Sequence, residues 1–356
     1  MRLALLPASI LLAGVAHADA VQDADRLMQA YQGDVPGAAL LVLEDGKPLL
    51  RKGYGLADLE QHTRVTPQTD FRLASVSKQF TAAAILLLAQ DHKLSLDDSI
   101  RHWLPSLPAT ADRVTLRQLL SHTGGLVDYE DLIPPGRTTQ LDDQDVLRML
   151  SATPRSYFPP GSAYRYSNTG YVLLGLVVEQ ASGQSLQDFL ARRIFQPLHM
   201  EHTLLYVHDD PTPTESKVPN RAYGYSWSKG RWLRTDQSLT SATRGDGGIY
   251  SNIDDLAKWD AALYDDRLLS DASRKAAFSP HAKVTGEPYE ASYGYGWRIT
   301  GETLWHSGES IGFRNVIVRW PKQHLTVILL SNRNDPEPYR TVLKIAEPFL
   351  RPASGH

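Results

Sequence analysis

The chain has 356 residues, 42% of them hydrophobic and 22% charged, with 37 Lys+Arg against 40 Asp+Glu and no Cys. That mix excludes disorder, collagen-like repeats and coiled coils, and a formal net charge of −3 gives no basis for a nucleic-acid partner. Without Cys there is no disulfide frame, thiolate metal site or Cys nucleophile, and the length supports one large domain or two small ones.

Met1-Arg2 gives a short positive start, and residues 3–16 form an apolar run with one Pro. Ala16-His17-Ala18 and Ala18-Asp19-Ala20 both fit the small-x-small pattern of a signal-peptidase site. Residues 1–20 are therefore read as a signal peptide, cleaved after Ala18 or Ala20. No later stretch approaches ~18 unbroken apolar residues, so no membrane insertion is expected after cleavage. The expected location is periplasmic or secreted.

Residues 21–31 have helical spacing, and 37–55 read as two strands around the turn signal Asp45-Gly46. From 71 to about 270 the pattern is mostly helical, with Pro-rich loops at 132–137 and 209–219 that are candidates to border a cleft. Strand patterns return at 295–300, 304–307, 313–320 and 325–331, with a tight turn at 321–324, and 339–350 closes as a helix. This order predicts a single α+β domain over 21–350. Its sheet lobe spans about 21–72 and 285–350, its helix-rich lobe about 73–284, and the groove between them is the natural site.

Ser75-Val76-Ser77-Lys78 opens an Ala/Leu-rich helix, which puts Lys78 one turn above Ser75 on the same face. A Ser hydroxyl is a poor nucleophile, and a neighbouring amine takes its proton only when that amine is neutral. Burial and positive potential both favour a neutral amine, and the N-terminus of a helix supplies such potential. The spacing alone is weak, because Ser226-Trp227-Ser228-Lys229 repeats it outside a helical context.

Tyr166-Ser167-Asn168 precedes the helical run 171–180. A Tyr beside a Lys can shuttle a proton, and an Asn amide can hold a substrate carbonyl or the Lys. A second copy, Tyr250-Ser251-Asn252, reads as structural, with Ser251 and Asp254 forming a capping box. His306-Ser307-Gly308 ends a short strand, where Gly308 admits close approach and the Glu309 N–H can serve an oxyanion. Each motif, taken singly, reads better as a loop or strand-end feature than as chemistry.

Together and in this order, the three motifs resemble the serine β-lactamase and penicillin-binding-protein superfamily. The chain is most similar to the class C β-lactamase branch, which also holds D,D-carboxypeptidases, D-aminopeptidases and carboxylesterases. Supporting segments include Leu119 onward to Leu126, 245–259, Tyr293-Gly294-Tyr295-Gly296-Trp297 and Leu330-Ser331-Asn332. The resemblance implies a β-lactamase/transpeptidase-like fold, an antiparallel sheet flanked by helices. It implies an acyl-enzyme on Ser75, with Lys78 and Tyr166 handling protons and Asn168 orienting Lys78 and substrate. The N–H groups of Ser75 and Glu309 would form the oxyanion hole, and His306, Ser307, Gly308 and Arg340 would contact substrate.

The sequence departs from the lactamases in several places. His306 stands for their Lys at the third motif, and an H-x-G is more similar to the D,D-peptidase and D-aminopeptidase relatives. A permanent charge is thereby replaced by one only partly present near neutral pH. Glu337 would repel a substrate carboxylate beside Arg340, Glu309 adds negative charge at the oxyanion hole, and Gly247 opens a wall that the lactamases close with Tyr. Each change weakens β-lactam recognition. The expected reaction is hydrolysis of an amide or peptide bond next to a D-residue, on a small molecule or short muropeptide. A carboxylesterase, a weak lactamase and a non-catalytic penicillin-recognising sensor or scaffold are the alternatives.

Two other motifs carry less. Gly308-Glu309-Ser310-Ile311-Gly312 matches a nucleophile elbow, but that motif needs a following helix and the pattern after it is a strand. His199 and His202 have no third ligand pattern, so no metal or other cofactor is expected. Oligomeric state has no sequence signal.

Overall fold

The computed structural model describes residues 19–207, 218–286 and 289–350. Most of the leader and of the 209–219 loop lie outside those residues. Eight strands form one antiparallel sheet in the order Ala282–Lys283, Ser292–Tyr293, Arg298–Thr300, Thr303–Ser310, Phe313–Trp320, Leu325–Ser331, Ala38–Glu44 and Lys47–Tyr54. The first hairpin turns at Asp45 and Gly46, both in left-handed conformation, and joins the last strand from Ala38↔Ser331 to Glu44↔Leu325. Early and late strands thus share one sheet, as their patterns predict.

Both faces of this sheet are covered, which is why its central strands read as unbroken apolar runs. Leu40, Val42, Val318 and Leu329 pack on one face against Met28, Val342 and Ile345, from the helix at 19–27 that ends at Met28 and the helix Pro338–Ala346. Leu41, Ile317, Ile328 and Leu330 pack on the other face against the helices Lys78–Gln90, Asn168–Ser182 and Ile253–Ala262. The helix Lys78–Gln90 is buried from Lys78 through Leu88, so it is a central element with no solvent face.

Five short strands interrupt the region read as helical, because pairing across the fold outweighs local propensity. Phe71–Arg72, Ile249–Ser251 and Leu204–Leu205 make a small sheet that delivers the chain to Ser75. Tyr225–Ser228 pairs with Arg231–Arg234 in a hairpin whose turn, Lys229 and Gly230, has φ of 51° and 78°. The second S-x-x-K therefore lies on a hairpin, with no helix to align its Ser and Lys. The cap of Ile253–Ala262 is Asn252, whose side chain accepts from the Asp255 N–H at 2.9 Å, one residue later than the box expected at Ser251. Ser251 instead pairs its hydroxyl with that of Thr203 at 2.7 Å.

Residues 308–312 run from a strand through a turn into the strand Phe313–Trp320, so they form no nucleophile elbow. Gly308 has another purpose. A Cβ there would lie 2.0 Å from the Leu73 carbonyl oxygen and 3.1 Å from the Val76 nitrogen. Only a bare Cα lets this strand press against the turn that carries Ser75. Gly308→Ala is therefore expected to cost about 3 kcal/mol in urea unfolding, at the upper end of overpacking penalties. Gly247→Ala, whose Cβ would meet nothing closer than 3.6 Å, should fall within about 0.5 kcal/mol of wild type.

Candidate active site

Ser75 stands in a single 3-10 turn, Ala74–Ser77, that runs straight into the helix Lys78–Gln90. Ala74 enters that turn with φ of 49°, a left-handed conformation costly for a residue with a Cβ. The turn is held by the Gly308 contact on one side and by Ile249, whose N–H donates to Ser77 Oγ at 3.2 Å, on the other.

The buried Lys78 amine lies within hydrogen-bond distance of three oxygens: Ser75 Oγ at 2.9 Å, Asn168 Oδ1 at 2.8 Å and the Asp246 carbonyl at 2.8 Å. Asn168 also donates from Nδ2 to Glu130 Oε1 at 2.8 Å. Its backbone N–H donates to Asp128 Oδ2 at 2.7 Å, so a distant carboxylate caps the helix Asn168–Ser182 and leaves the Asn168 amide free to face Lys78. Three sequence-distant segments thus converge on one amine.

Tyr166 reaches the same amine by its ring, whose centroid is 5.1 Å from Lys78 Nζ. The ring packs on His122 at 4.4 Å, and His122 Nδ1 accepts from the Ser167 N–H at 3.2 Å. No hydrogen bond joins the Tyr166 hydroxyl to Ser75 or Lys78 among the described residues.

His306 differs from its expected part. It is buried, and its Nδ1 lies 2.6 Å from the Ser307 carbonyl, which can only accept, so the proton sits on Nδ1. Nε2 then accepts from the Tyr293 hydroxyl at 2.8 Å. Burial pushes the His306 pKa well below the usual imidazole range, and the charges of Arg298 and Lys78 push the same way. The side chain is a neutral strut, not a partly charged substitute for a lysine.

Two further expectations are corrected by neighbours. Glu309 lines the cavity, but its carboxylate is paired with Arg314 at 2.5 Å, so it brings little free charge to the site. Glu337 caps the helix Pro338–Ala346, accepting from the Tyr339 N–H at 2.8 Å. That helix covers the sheet face opposite Ser75, Arg340 on it is exposed, and neither residue lines the cavity. The 132–137 loop is also absent from the cavity wall, whereas Glu130 just before it is present.

The cavity is bounded by Ser75, Asn168, Glu130, Arg72, Gly247, Glu309 and Ser310, with a wall of hydroxyls from Ser238 to Thr243. Asp246 also lines it and is buried, and burial raises its pKa while Lys78 opposes that rise. Glu130 is likewise raised, by burial and then by Asp128. Sequence reasoning missed Arg72, Glu130 and Asp246. The one signal available was a charge inside the apolar run Phe71-Arg72-Leu73-Ala74.

A serine hydroxyl hydrogen-bonded to a buried amine, beside a cavity, is the arrangement that nucleophilic acyl transfer requires. Residues 22–347 match the family model described as Beta-lactamase. The chain belongs to the beta-lactamase family. "Penicillin-binding protein 4*" of Bacillus subtilis (strain 168) is 34% identical over 329 residues, which are 87% of this chain and 71% of that protein. The chain spans 64% of the length of the Staphylococcus aureus "Protein flp", at 27% identity and 89% of this chain. Among solved structures, a penicillin-binding protein from Bacillus halodurans gives a TM-score of 0.79 at 27% identity, covering 92% of this chain and 99% of that one. A D-amino acid amidase from Ochrobactrum anthropi SV3, complexed with L-phenylalanine amide, gives 0.75 at 26%, covering 92% and 98%. The family fold is the β-lactamase/transpeptidase-like one, and membership makes the chain a hydrolase of the serine β-lactamase and penicillin-binding-protein superfamily. Among the described residues, no helix is long and apolar enough to cross a membrane.

The depressed His306 pKa has a consequence for stability. As pH falls below the ordinary imidazole value, the unfolded chain binds a proton that the folded chain refuses. Stability present at neutral pH is therefore lost on acidification, and His122, also buried with a depressed pKa, acts in the same direction. In urea melts at about pH 7.5 and about pH 5, His306→Asn should lessen this acid loss by up to ~1.4 kcal/mol per pH unit relative to wild type. An unchanged slope would mean that His306 titrates freely in the folded protein.

Proposed function

We propose that this chain is an exported serine hydrolase that forms an acyl-enzyme on Ser75 and hydrolyses an amide or peptide bond next to a D-amino acid. The observation that carries the reading is the Lys78 amine held jointly by Ser75 Oγ and Asn168 Oδ1, at 2.9 and 2.8 Å. In this reading Lys78 takes the Ser75 proton, and Tyr166 helps return it to the leaving group. Asn168 orients Lys78 and the substrate, with Glu130 fixing the Asn168 amide. The N–H groups of Ser75 and Glu309 receive the oxyanion, a contact worth ~10²–10³ in rate per donor. His306 acts through position alone, and Arg340 has no part.

The preference for a D-residue is supported by likeness to a D-amino acid amidase and to penicillin-binding proteins. The neutral His306 also leaves the third motif without the lysine charge of the lactamases. A carboxylesterase is the second reading, favoured by the open wall at Gly247, where a side chain would meet only the Ala74 backbone at 3.6 Å. A non-catalytic scaffold would need no buried amine aimed at a serine.

The deciding experiment is intact mass of the mature protein with benzylpenicillin, run beside Ser75→Ala. A lasting penicilloyl adduct on wild type alone is the expected outcome. Drug consumption without an adduct would make the chain a lactamase. An untouched drug, with short acyl esters hydrolysed and D-aminoacyl amides and peptides ignored, would favour the esterase. Hydrolysis that survives Ser75→Ala would overturn the nucleophile.

Export also makes a prediction. Ala20 is 3% exposed and packs in the layer of Ala24 and Met28, so cleavage after it would remove a core side chain. The mature protein is expected to begin at Asp19, as mass of the secreted product would reveal.

A further inference from the structure

The Lys78 amine bonds to Ser75, Asn168 and the Asp246 carbonyl and not to the Tyr166 hydroxyl. The place of Tyr166 is therefore set by its backbone and by the packing of its ring, and one residue supplies much of both. The His122 carbonyl accepts from the Arg165 N–H at 3.0 Å, and the His122 Nδ1 accepts from the Ser167 N–H at 3.2 Å. His122 thus grips the chain on each side of Tyr166. Its ring packs on the Tyr166 ring at 4.4 Å, closer than His306 at 6.2 Å or Tyr293 at 6.3 Å.

The fold holds His122 there at a cost. It is buried on the turn after the helix Leu116–Leu120, with φ of 59°, a left-handed conformation that strains a residue with a Cβ. A backbone N–H can only donate, so Nδ1 carries no proton and the neutral ring keeps it on Nε2. Nε2 is buried without a hydrogen-bond partner, inside a ring of Tyr164, Tyr166, Tyr171 and Tyr293. An unanswered N–H is costly, and an apolar side chain of similar shape would fill this space without it. Such a side chain could not accept the Ser167 N–H.

We propose that His122 is the positioning residue for Tyr166, its carbonyl, Nδ1 and ring face together holding that side chain where it returns a proton to the leaving group. His122 does not line the cavity that holds Ser75, so it acts through Tyr166 alone. The inference rests on the role given to Tyr166 in the proposed function. In acylation Ser75 Oγ bonds to the acyl carbon and the bond to the leaving group breaks. The Ser75 proton passes through Lys78 and Tyr166 to that group, and water later releases the acid. A basic leaving group needs this proton in order to depart, whereas one that is stable as an anion does not.

The methyl and p-nitrophenyl esters of N-acetyl-D-alanine test it, since they share an acyl group and differ only in the leaving group. The quantity read is the ratio of their kcat/KM values, methyl to p-nitrophenyl. His122→Leu should lower this ratio roughly tenfold to a hundredfold, the range that a misplaced catalytic group costs. His122→Asn, whose Oδ1 can accept the Ser167 N–H, should restore much of it. Tyr166→Phe should lower the ratio as well, and His122→Leu added to it should lower it no further. A residue that only supports the fold would weaken both esters alike. A ratio unchanged in folded His122→Leu, or a further fall in the double variant, therefore overturns the proposal. If the His122 variants do not fold, nitrogen NMR of histidine-labelled wild type at about pH 7.5 decides. The imidazole in contact with Tyr166 should carry its proton on Nε2, and a proton on Nδ1 overturns the grip on Ser167. A ratio that Tyr166→Phe leaves unchanged overturns the role of Tyr166 and this proposal with it, while Ser75 stands as nucleophile. Turnover that survives Ser75→Ala, or its absence for both esters in wild type, overturns the parent reading too.

Discussion

The whole site depends on one backbone contact. The strand Thr303–Ser310 reaches the Ser75 turn so closely at Gly308 that a methyl group would fall 2.0 Å from the Leu73 carbonyl oxygen. That approach joins the sheet to the helix-rich side of the molecule, and it brings the Glu309 segment alongside Ser75. Comparable close approaches fix the other wall. A Cβ at Gly245 would lie 2.3 Å from the Tyr171 carbonyl oxygen, which seats the 245–247 segment against the helix that begins at Asn168. Bare Cα positions, more than side-chain contacts, set the distance between the two sides of the cavity.

Within that frame the polar groups are held at high cost and in fixed roles. Lys78 is buried, and its amine is bound by a serine, an amide and a carbonyl rather than by a carboxylate salt bridge. Buried polar groups must be hydrogen-bonded, and each partner here comes from a different part of the chain. His306 follows the same rule with both ring nitrogens engaged, by the Ser307 carbonyl and by the Tyr293 hydroxyl. Arg72 Nε and Nη1 and Ser310 Oγ are exceptions on the wall of the same cavity as Ser75.

Much was legible along the chain because it depends on local pattern. The first hairpin was marked by Asp45-Gly46, the late strands by their apolar runs, and the helix after Ser75 by its Ala and Leu content. Ser75 and Lys78 were legible as a pair because three residues of helix suffice to bring them together. The Tyr225–Ser228 hairpin was not legible as such, since its strands are short and its pairing partner decides their form. The charge of His306 was misread for a related reason. Sequence gives the imidazole its ordinary pKa, whereas burial among Tyr293, Arg298 and Lys78 sets the actual one.

The sequence by itself determined the spacing that pairs Ser75 with Lys78, the family resemblance and the antiparallel sheet built from both chain ends. These are consequences of spacing, periodicity and residue type, which act over a few neighbours. Only the tertiary structure decided which acids face the cavity and that Arg340 lies away from the site. Among the described residues it sets no carboxylate against Arg72. The cavity wall is assembled from segments as far apart as Arg72 and Ile311, and no local pattern carries that information.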